Sequence, residues 1–277
     1  MYAEILYDVA GPVATITLNR PDKLNATTPQ MVAEIRHAVA QAEENPEVVG
    51  IVITGAGRGF CSGADMAGLQ AIQREGSIAA QGQADLQASP GDPAMGDDYR
   101  SFFTYFFTVR KPIIAAVNGP CAGFGFSMAM CCDLRFMADG AFFTTSFAPR
   151  GLVAEHAMSW VLPRLVGPSR ALDIFWSSRK VPAQEALQLG VANRVTPADD
   201  LLAETSAYIT ELAAKCSPTA LMHMKQQVYR DLMLPLGESV RDTEARMAAS
   251  VRRPDFKEGI ASFTERRPPK FERLAKN

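Results

Sequence analysis

Long apolar runs are missing from these 277 residues. Stretches such as Pro112 to Val117 fall far short of the ~20 residues that a bilayer-spanning helix requires, so a soluble protein is expected. The first residues, MYAEILYDVAGPVATITL, lack a basic stretch followed by an unbroken apolar one, and Asp8 and Gly11 interrupt what there is. No secretion is expected. An excess of one charge sign is also missing: 28 Lys and Arg face 30 Asp and Glu, a formal net of −2, which offers no pervasive basic field for nucleic acid. Cysteine is sparse. Cys61, Cys121, Cys131, Cys132 and Cys216 are odd in number and form no C-x-x-C pair, which excludes a disulfide framework and a zinc ribbon and fits a reducing cytoplasm. His37 and His223 have no partners at metal-ligand spacing, so neither a metal nor a separate cofactor is expected.

Several nucleotide and nucleophile motifs are absent too. No G-x-x-x-x-G-K-[ST] phosphate loop occurs, and Gly55-Ala56-Gly57-Arg58-Gly59-Phe60 fails as a dinucleotide fingerprint because Phe60 stands where Gly or Ala must let helix and strand approach. Neither Ser62 nor Ser127 lies in G-x-S-x-G, so a serine hydrolase using His156 finds little support.

What is present reads as α/β. Val13 to Leu18 is alternating and β-branched, a half-buried strand ending in the turn Asn19-Arg20-Pro21-Asp22. Thr27, Thr28 and Pro29 open a helix with Met31, Ile35, Ala38, Val39 and Ala42 on one face. Val48 to Thr54 has no polar alternation and predicts a strand buried on both sides, as do Lys111 to Asn118 and Asp133 to Ala138. Glu75 to Tyr99 holds no Lys or Arg and little periodicity, which predicts a mobile loop. Strands vanish after Leu201, where helices are expected over 201–215, 218–233 and 238–251 and from Pro254 onward. The expected division is a core over 1–200 and a helical region over 201–277.

Two glycine segments each follow a buried strand and lead into a helix: Phe60 to Met66, and Asn118 to Phe126. Such turns leave backbone N–H groups unpaired with a helix dipole behind them, and two converging turns would make an oxyanion hole. Tight packing is the commoner reason for glycine at such turns. In the aromatic run Phe102, Phe103, Tyr105, Phe106 and Phe107, the choice is between an acyl tunnel and ordinary core.

Leu18-Asn19-Arg20-Pro21-Asp22-Lys23-Leu24-Asn25-Ala26, Gly59-Phe60-Cys61-Ser62-Gly63-Ala64-Asp65, Ala116 to Gly119 continuing to Cys132-Asp133, and the closing Glu258 to Phe271 together resemble the crotonase superfamily, the enoyl-CoA hydratase/isomerase enzymes. The match runs in order over nearly the whole chain. The resemblance implies a spiral of ββα repeats, a C-terminal helical region that builds trimers or hexamers, and an acyl-CoA thioester substrate. It assigns the oxyanion donors to the N–H groups of Ala64 and Phe124, Phe124 standing at a frequent glycine. It places Lys23 and Leu24 near the nucleotide end of CoA, Asp65 beside the adenine, and Phe263 and Arg266 on the C-terminal helix near the phosphates, sometimes across a subunit boundary. Residues 251–277 carry eight basic against four acidic side chains, which suits that last role or a solvated helix end.

The positions that match the glutamate pair of the family's hydratases are Ser127 and Phe147, so two-carboxylate hydration lacks its residues. Glu155 falls where certain enoyl-CoA isomerases of the family place an acidic residue, and Val153, Met158 and Trp160 are expected to desolvate it. The resemblance therefore favours double-bond isomerisation, with hydration and non-catalytic acyl-CoA binding as alternatives. A solvated carboxylate at a helix start is the plain reading of Glu155, as a structural role is of His156, whose other use would be a proton shuttle.

Overall fold

The computed structural model describes residues 2–75 and 86–276. The elements in chain order are β1 (Ile5–Ala10), β2 (Val13–Leu18), α1 (Pro29–Glu44), β3 (Gly50–Gly55), α2 (Met66–Glu75), β4 (Ile113–Val117), β5 (Pro120–Ala122), α3 (Phe124–Cys131), β6 (Leu134–Ala138), β7 (Phe142–Thr144), α4 (Met158–Val166), α5 (Pro168–Ser177), β8 (Val181–Pro182), α6 (Ala183–Gln188), β9 (Arg194–Thr196), α7 (Leu201–Lys215), α8 (Pro218–Asp231), α9 (Leu236–Ser250) and α10 (Pro254–Glu265).

β3 and β4 are buried along nearly their whole length because both faces are covered, the condition under which parallel strands occur, and the one polar side chain, Thr54, donates to the Ala116 carbonyl at 2.9 Å. They sit at the centre of a sheet ordered β1-β2-β3-β4-β6-β9, parallel except for the β1–β2 hairpin. A second, smaller sheet is ordered β5-β7-β8, with β5 and β7 parallel and β7 and β8 antiparallel, so the architecture is mixed α/β. On α1 the Thr28 hydroxyl caps Met31 N–H at 3.0 Å, Pro29 occupies the first turn, and Met31, Ile35, Ala38, Val39 and Ala42 are fully buried.

The described part of the segment before β4 is not the loose loop that its composition predicts. Residues 76–85 of that stretch lie outside the described residues, but from Gly91 onward the chain is pinned to the end of α1. The buried Glu43 carboxylate accepts Gly91 N–H at 2.6 Å and Arg110 N–H at 2.7 Å. Lys111, 1% exposed, donates to the carbonyls of Ala42 and Asn45 at 2.8 and 2.6 Å, closing the C-terminus of the same helix. Composition missed this segment because its anchors are charges forty or more residues away.

The helical region after residue 200 is partly core. α7 lies against β2, β3, β4 and β6, and a Cβ at Gly50 would come within 2.9 Å of the Ile209 side chain. The expected division at 200/201 therefore separates α7 from the sheet it covers. Among the tethers of α8 one carboxylate gathers three donors: Asp133 accepts Ile113 N–H at 2.7 Å, Lys225 Nζ at 2.7 Å and the Tyr229 hydroxyl at 2.9 Å. Replacing Asp133 by Ala removes the counter-charge of the Lys225 ammonium, whose side chain is only 7% exposed, and leaves it the Lys111 carbonyl at 3.0 Å. We expect Asp133→Ala to lose about 3 kcal/mol of unfolding free energy, read from the urea midpoint, and the exposed-pair control Glu211→Ala to leave that midpoint nearly unchanged.

Candidate active site

Two asparagine side chains knot the loops that follow β2, β3 and β4. Asn25, wholly buried, accepts Arg20 N–H at 2.9 Å and donates to the carbonyls of Ala56 and Gly59 at 2.9 and 2.8 Å. Asn118 accepts Gly55 N–H at 3.2 Å and donates to the carbonyls of Gly55 and Gly57 at 2.9 and 3.0 Å. From this knot the chain runs on with its main-chain groups paired across loops: Ala122 N–H to Cys61 C=O at 2.9 Å, Thr27 N–H to Gly63 C=O at 2.8 Å, and Asp65 N–H to Thr27 C=O at 2.9 Å.

Ala64 N–H and Phe124 N–H are left out of this pairing. Neither has an acceptor among the described residues, Phe124 because it is the first residue of α3 and has no preceding turn to donate to. Their preceding glycines bring them together. Gly63 (φ +108°) and Gly123 (φ +52°) adopt conformations that favour glycine, and a Cβ on Gly123 would lie 3.6 Å from Gly63 Cα. A side chain at either position would be strained by that φ, although its Cβ would meet the facing turn at ordinary contact distance.

Both turns open on a cavity of about 460 Å³ whose lining includes Ala64, Phe124, Glu155, Lys23 and Asp65. Glu155 carries no ion pair or side-chain hydrogen bond among the described residues, and burial raises its carboxyl above the usual carboxylate range. The apolar flank is not the expected one: Val153 is 81% exposed, and Leu152 lines the cavity instead. Asp65 is engaged otherwise. It caps Ala67 N–H at 3.0 Å and pairs with Arg20 at 3.0 Å, and these partners hold its pKa below the usual value.

The remaining predicted residues are distributed as follows. Leu24 does not line the cavity; its carbonyl accepts Ser62 N–H at 2.9 Å, so it shapes the turn that presents Lys23. Phe263 and Arg266 are both exposed at the end of α10, Phe263 to 86%, away from the cavity of this subunit. Ser127 is buried in α3 with its hydroxyl unpartnered and does not line the cavity, whereas Phe147 does. Among the described residues no hydrogen bond joins a serine to His156, and no cluster of His, Cys, Asp or Glu could hold a metal ion. No helix of the described residues is long and apolar enough to cross a membrane.

Sequence reasoning missed two features of the lining. Arg150 reaches it from a 3-10 turn and donates to Ser146 C=O at 2.8 Å, which spacing alone does not reveal. Of the aromatic run, Phe103, Tyr105, Phe106 and Phe107 are core, and Phe102 alone turns to the cavity, at φ +28°.

Comparison with known proteins places this geometry. A model of the family described as enoyl-CoA hydratase/isomerase matches residues 8–274. The chain is 33% identical over 270 residues to a probable enoyl-CoA hydratase of Mycobacterium bovis, covering 98% of each protein. It is 29% identical over 279 residues to the 1,2-epoxyphenylacetyl-CoA isomerase of Escherichia coli, covering 96% of this chain and 97% of that protein. Among solved structures, an enoyl-CoA hydratase from Polaromonas sp. JS666 superposes with a TM-score of 0.84 at 30% identity, covering 97% and 99% of the two chains.

Since the raised Glu155 pKa means that ionising this carboxylate opposes folding, the sign of its effect on stability is fixed. The penalty is complete above the folded pKa and absent below the ordinary value of 4.5. Glu155→Gln should therefore melt above the parent protein at pH 7, and the gap should close as the pH falls toward 4; differential scanning fluorimetry across that range measures it.

Proposed function

The chain belongs to the enoyl-CoA hydratase/isomerase family, and we propose that it shifts the double bond of an enoyl-CoA thioester with Glu155 as its single acid–base group. The observation that carries this reading is the state of the two cavity carboxylates: Asp65 is held by Arg20 and Ala67 N–H, which leaves Glu155. The positions corresponding to the hydratase glutamates hold a buried serine outside the cavity and a phenyl ring, which argues against the positioned water that hydration needs. Both hydratase and isomerase names occur among the relatives, so the choice between the two reactions rests on these residues.

In the proposed cycle the thioester oxygen accepts Ala64 N–H and Phe124 N–H. The Glu155 carboxylate takes a proton from C2, the C–H electron pair forms a C1–C2 double bond, and the carbonyl electrons move onto the oxygen held by the amides. The resulting dienolate takes the same proton back at C4. The C3–C4 double bond has become C2–C3, and Glu155 is again ionised. A desolvated carboxylate is a stronger base than one in water, and two preorganised donors are placed where the negative charge develops. Lys23 and Arg150, at the cavity wall, would meet the phosphates of CoA.

Two substitutions test the two halves of the mechanism against a 3-enoyl-CoA. Glu155→Gln should cut kcat by roughly 10²- to 10⁴-fold with little change in thioester affinity. Phe124→Pro removes one oxyanion donor at a first-turn position that tolerates proline, and should fall about 10²-fold or more below Phe124→Ala, which keeps the N–H. Water addition to a 2-enoyl-CoA at a rate matching double-bond migration, or binding without any turnover, would overturn the assignment.

The proposal extends to assembly. Exposed apolar side chains run along α8 to α10, among them Val228 (60%), Leu236 (81%), Met247 (63%) and Phe263 (86%), a face that a lone subunit would leave in water. We propose that further copies of this chain cover it, which would bring Phe263 and Arg266 toward a neighbour's CoA. Light scattering should give a multiple of the subunit mass, reduced by Leu236→Glu; a monomer at micromolar concentration would sink this part.

A further inference from the structure

The cavity wall beside the oxyanion donor is built of rings. Phe102, Phe124 and His156 come from three separate segments and touch one another pairwise, with centroid separations of 4.2 Å for Phe102 and His156, 4.4 Å for Phe124 and His156, and 5.3 Å for Phe102 and Phe124. All three line the cavity, and Phe147 adds a fourth ring to the lining.

The cluster is built against backbone preference. Phe102 (φ +28°), His156 (φ +51°) and Ala157 (φ +63°) occupy the region that non-glycine residues avoid, so the surrounding structure holds them there. Part of that hold is visible: Arg36 on α1 donates to the Phe102 carbonyl at 3.1 Å while its guanidinium lies over the Tyr105 ring.

His156 behaves in this cluster as a flat apolar plate. Its Nε2 is buried with no hydrogen-bond partner among the described residues, and burial pulls its pKa down to about 4, so the imidazole is uncharged at neutral pH. A proton shuttle would need a partner and a pKa near neutrality, and this ring has neither.

Position gives the wall its meaning. The Phe124 ring leaves from the residue whose N–H is the proposed donor, so the rings flank the first carbons beyond the thioester. Resting on the thioester reading above, we propose that the Phe102–Phe124–His156 wall is a specificity-determining surface that selects acyl groups carrying a flat ring or conjugated system close to the thioester over flexible saturated chains. A flat group stacks on such rings, each ring contact contributing about two- to tenfold in affinity, and loses fewer rotors on binding than an alkyl chain.

The test is competition binding of two unreactive thioesters matched in carbon number, 3-phenylpropanoyl-CoA and nonanoyl-CoA, with butanoyl-CoA as the short reference. The aryl thioester should bind roughly tenfold more tightly than nonanoyl-CoA. Phe102→Leu and His156→Leu, which keep bulk and remove the ring, should each bring that ratio below about threefold. Either variant alone suffices if the other does not fold. A parent ratio near one, a ratio that both variants leave intact, or butanoyl-CoA binding as tightly as the aryl thioester would overturn the proposal while leaving the thioester reading in place. Failure of all three thioesters to bind would take both down.

Discussion

Two peptide N–H groups left without acceptors, at adjacent turns, are the constraint around which the chain is organised. An unpaired backbone donor is unfavourable when buried, so a fold that presents two of them must pair the groups around them tightly. That is the work of the Asn25 and Asn118 side chains and of the main-chain bonds among Thr27, Gly63 and Asp65. Gly63 and Gly123 then let the two turns approach until their backbones touch. The parallel order of β2, β3 and β4 makes this possible, because it delivers the ends of all three strands to one edge of the sheet.

The same edge explains why so much charge is buried far from the cavity. The connection between β3 and β4 is long, and it must return to the sheet in register. Glu43 and Lys111 fix it to the end of α1 through main-chain partners, and Asp133 binds the start of β4 to α8. Each carboxylate accepts backbone N–H groups as well as meeting cations, and this makes the burial tolerable. These contacts set where Phe102 stands, since it lies on the returning connection.

Much of the frame was legible in the residues. β2, β3, β4, α1 and α7 follow from the apolar residues that they bury, and α8 to α10 from helical spacing and from Pro at their starts. β1 was not, since only Ile5 of its residues is buried, and β5, β7, β8 and β9 are too short for a period to show. The two amides were legible only as glycine turns with a family resemblance behind them; backbone donors have no side-chain signature. The site's wall was hidden for a different reason. Phe102 differs from its aromatic neighbours only in a left-handed φ, and His156 is turned the same way, so direction, which sequence spacing does not encode, decides which ring meets the cavity.

The chemistry of the wall and that of the base are linked through one physical condition, exclusion of water. Phe147, Leu152 and the ring cluster line the same cavity as Glu155, and burial raises the pKa of that carboxyl. Raised basicity favours removal of a proton from carbon, and Asp65, the other carboxylate of the lining, is held by Arg20 and Ala67 N–H. In the proposed reaction Phe147 stands where the resemblance expects one of the two hydration carboxylates, which leaves Glu155 to act alone. Isomerisation needs only that one, because the proton it takes is the proton it returns.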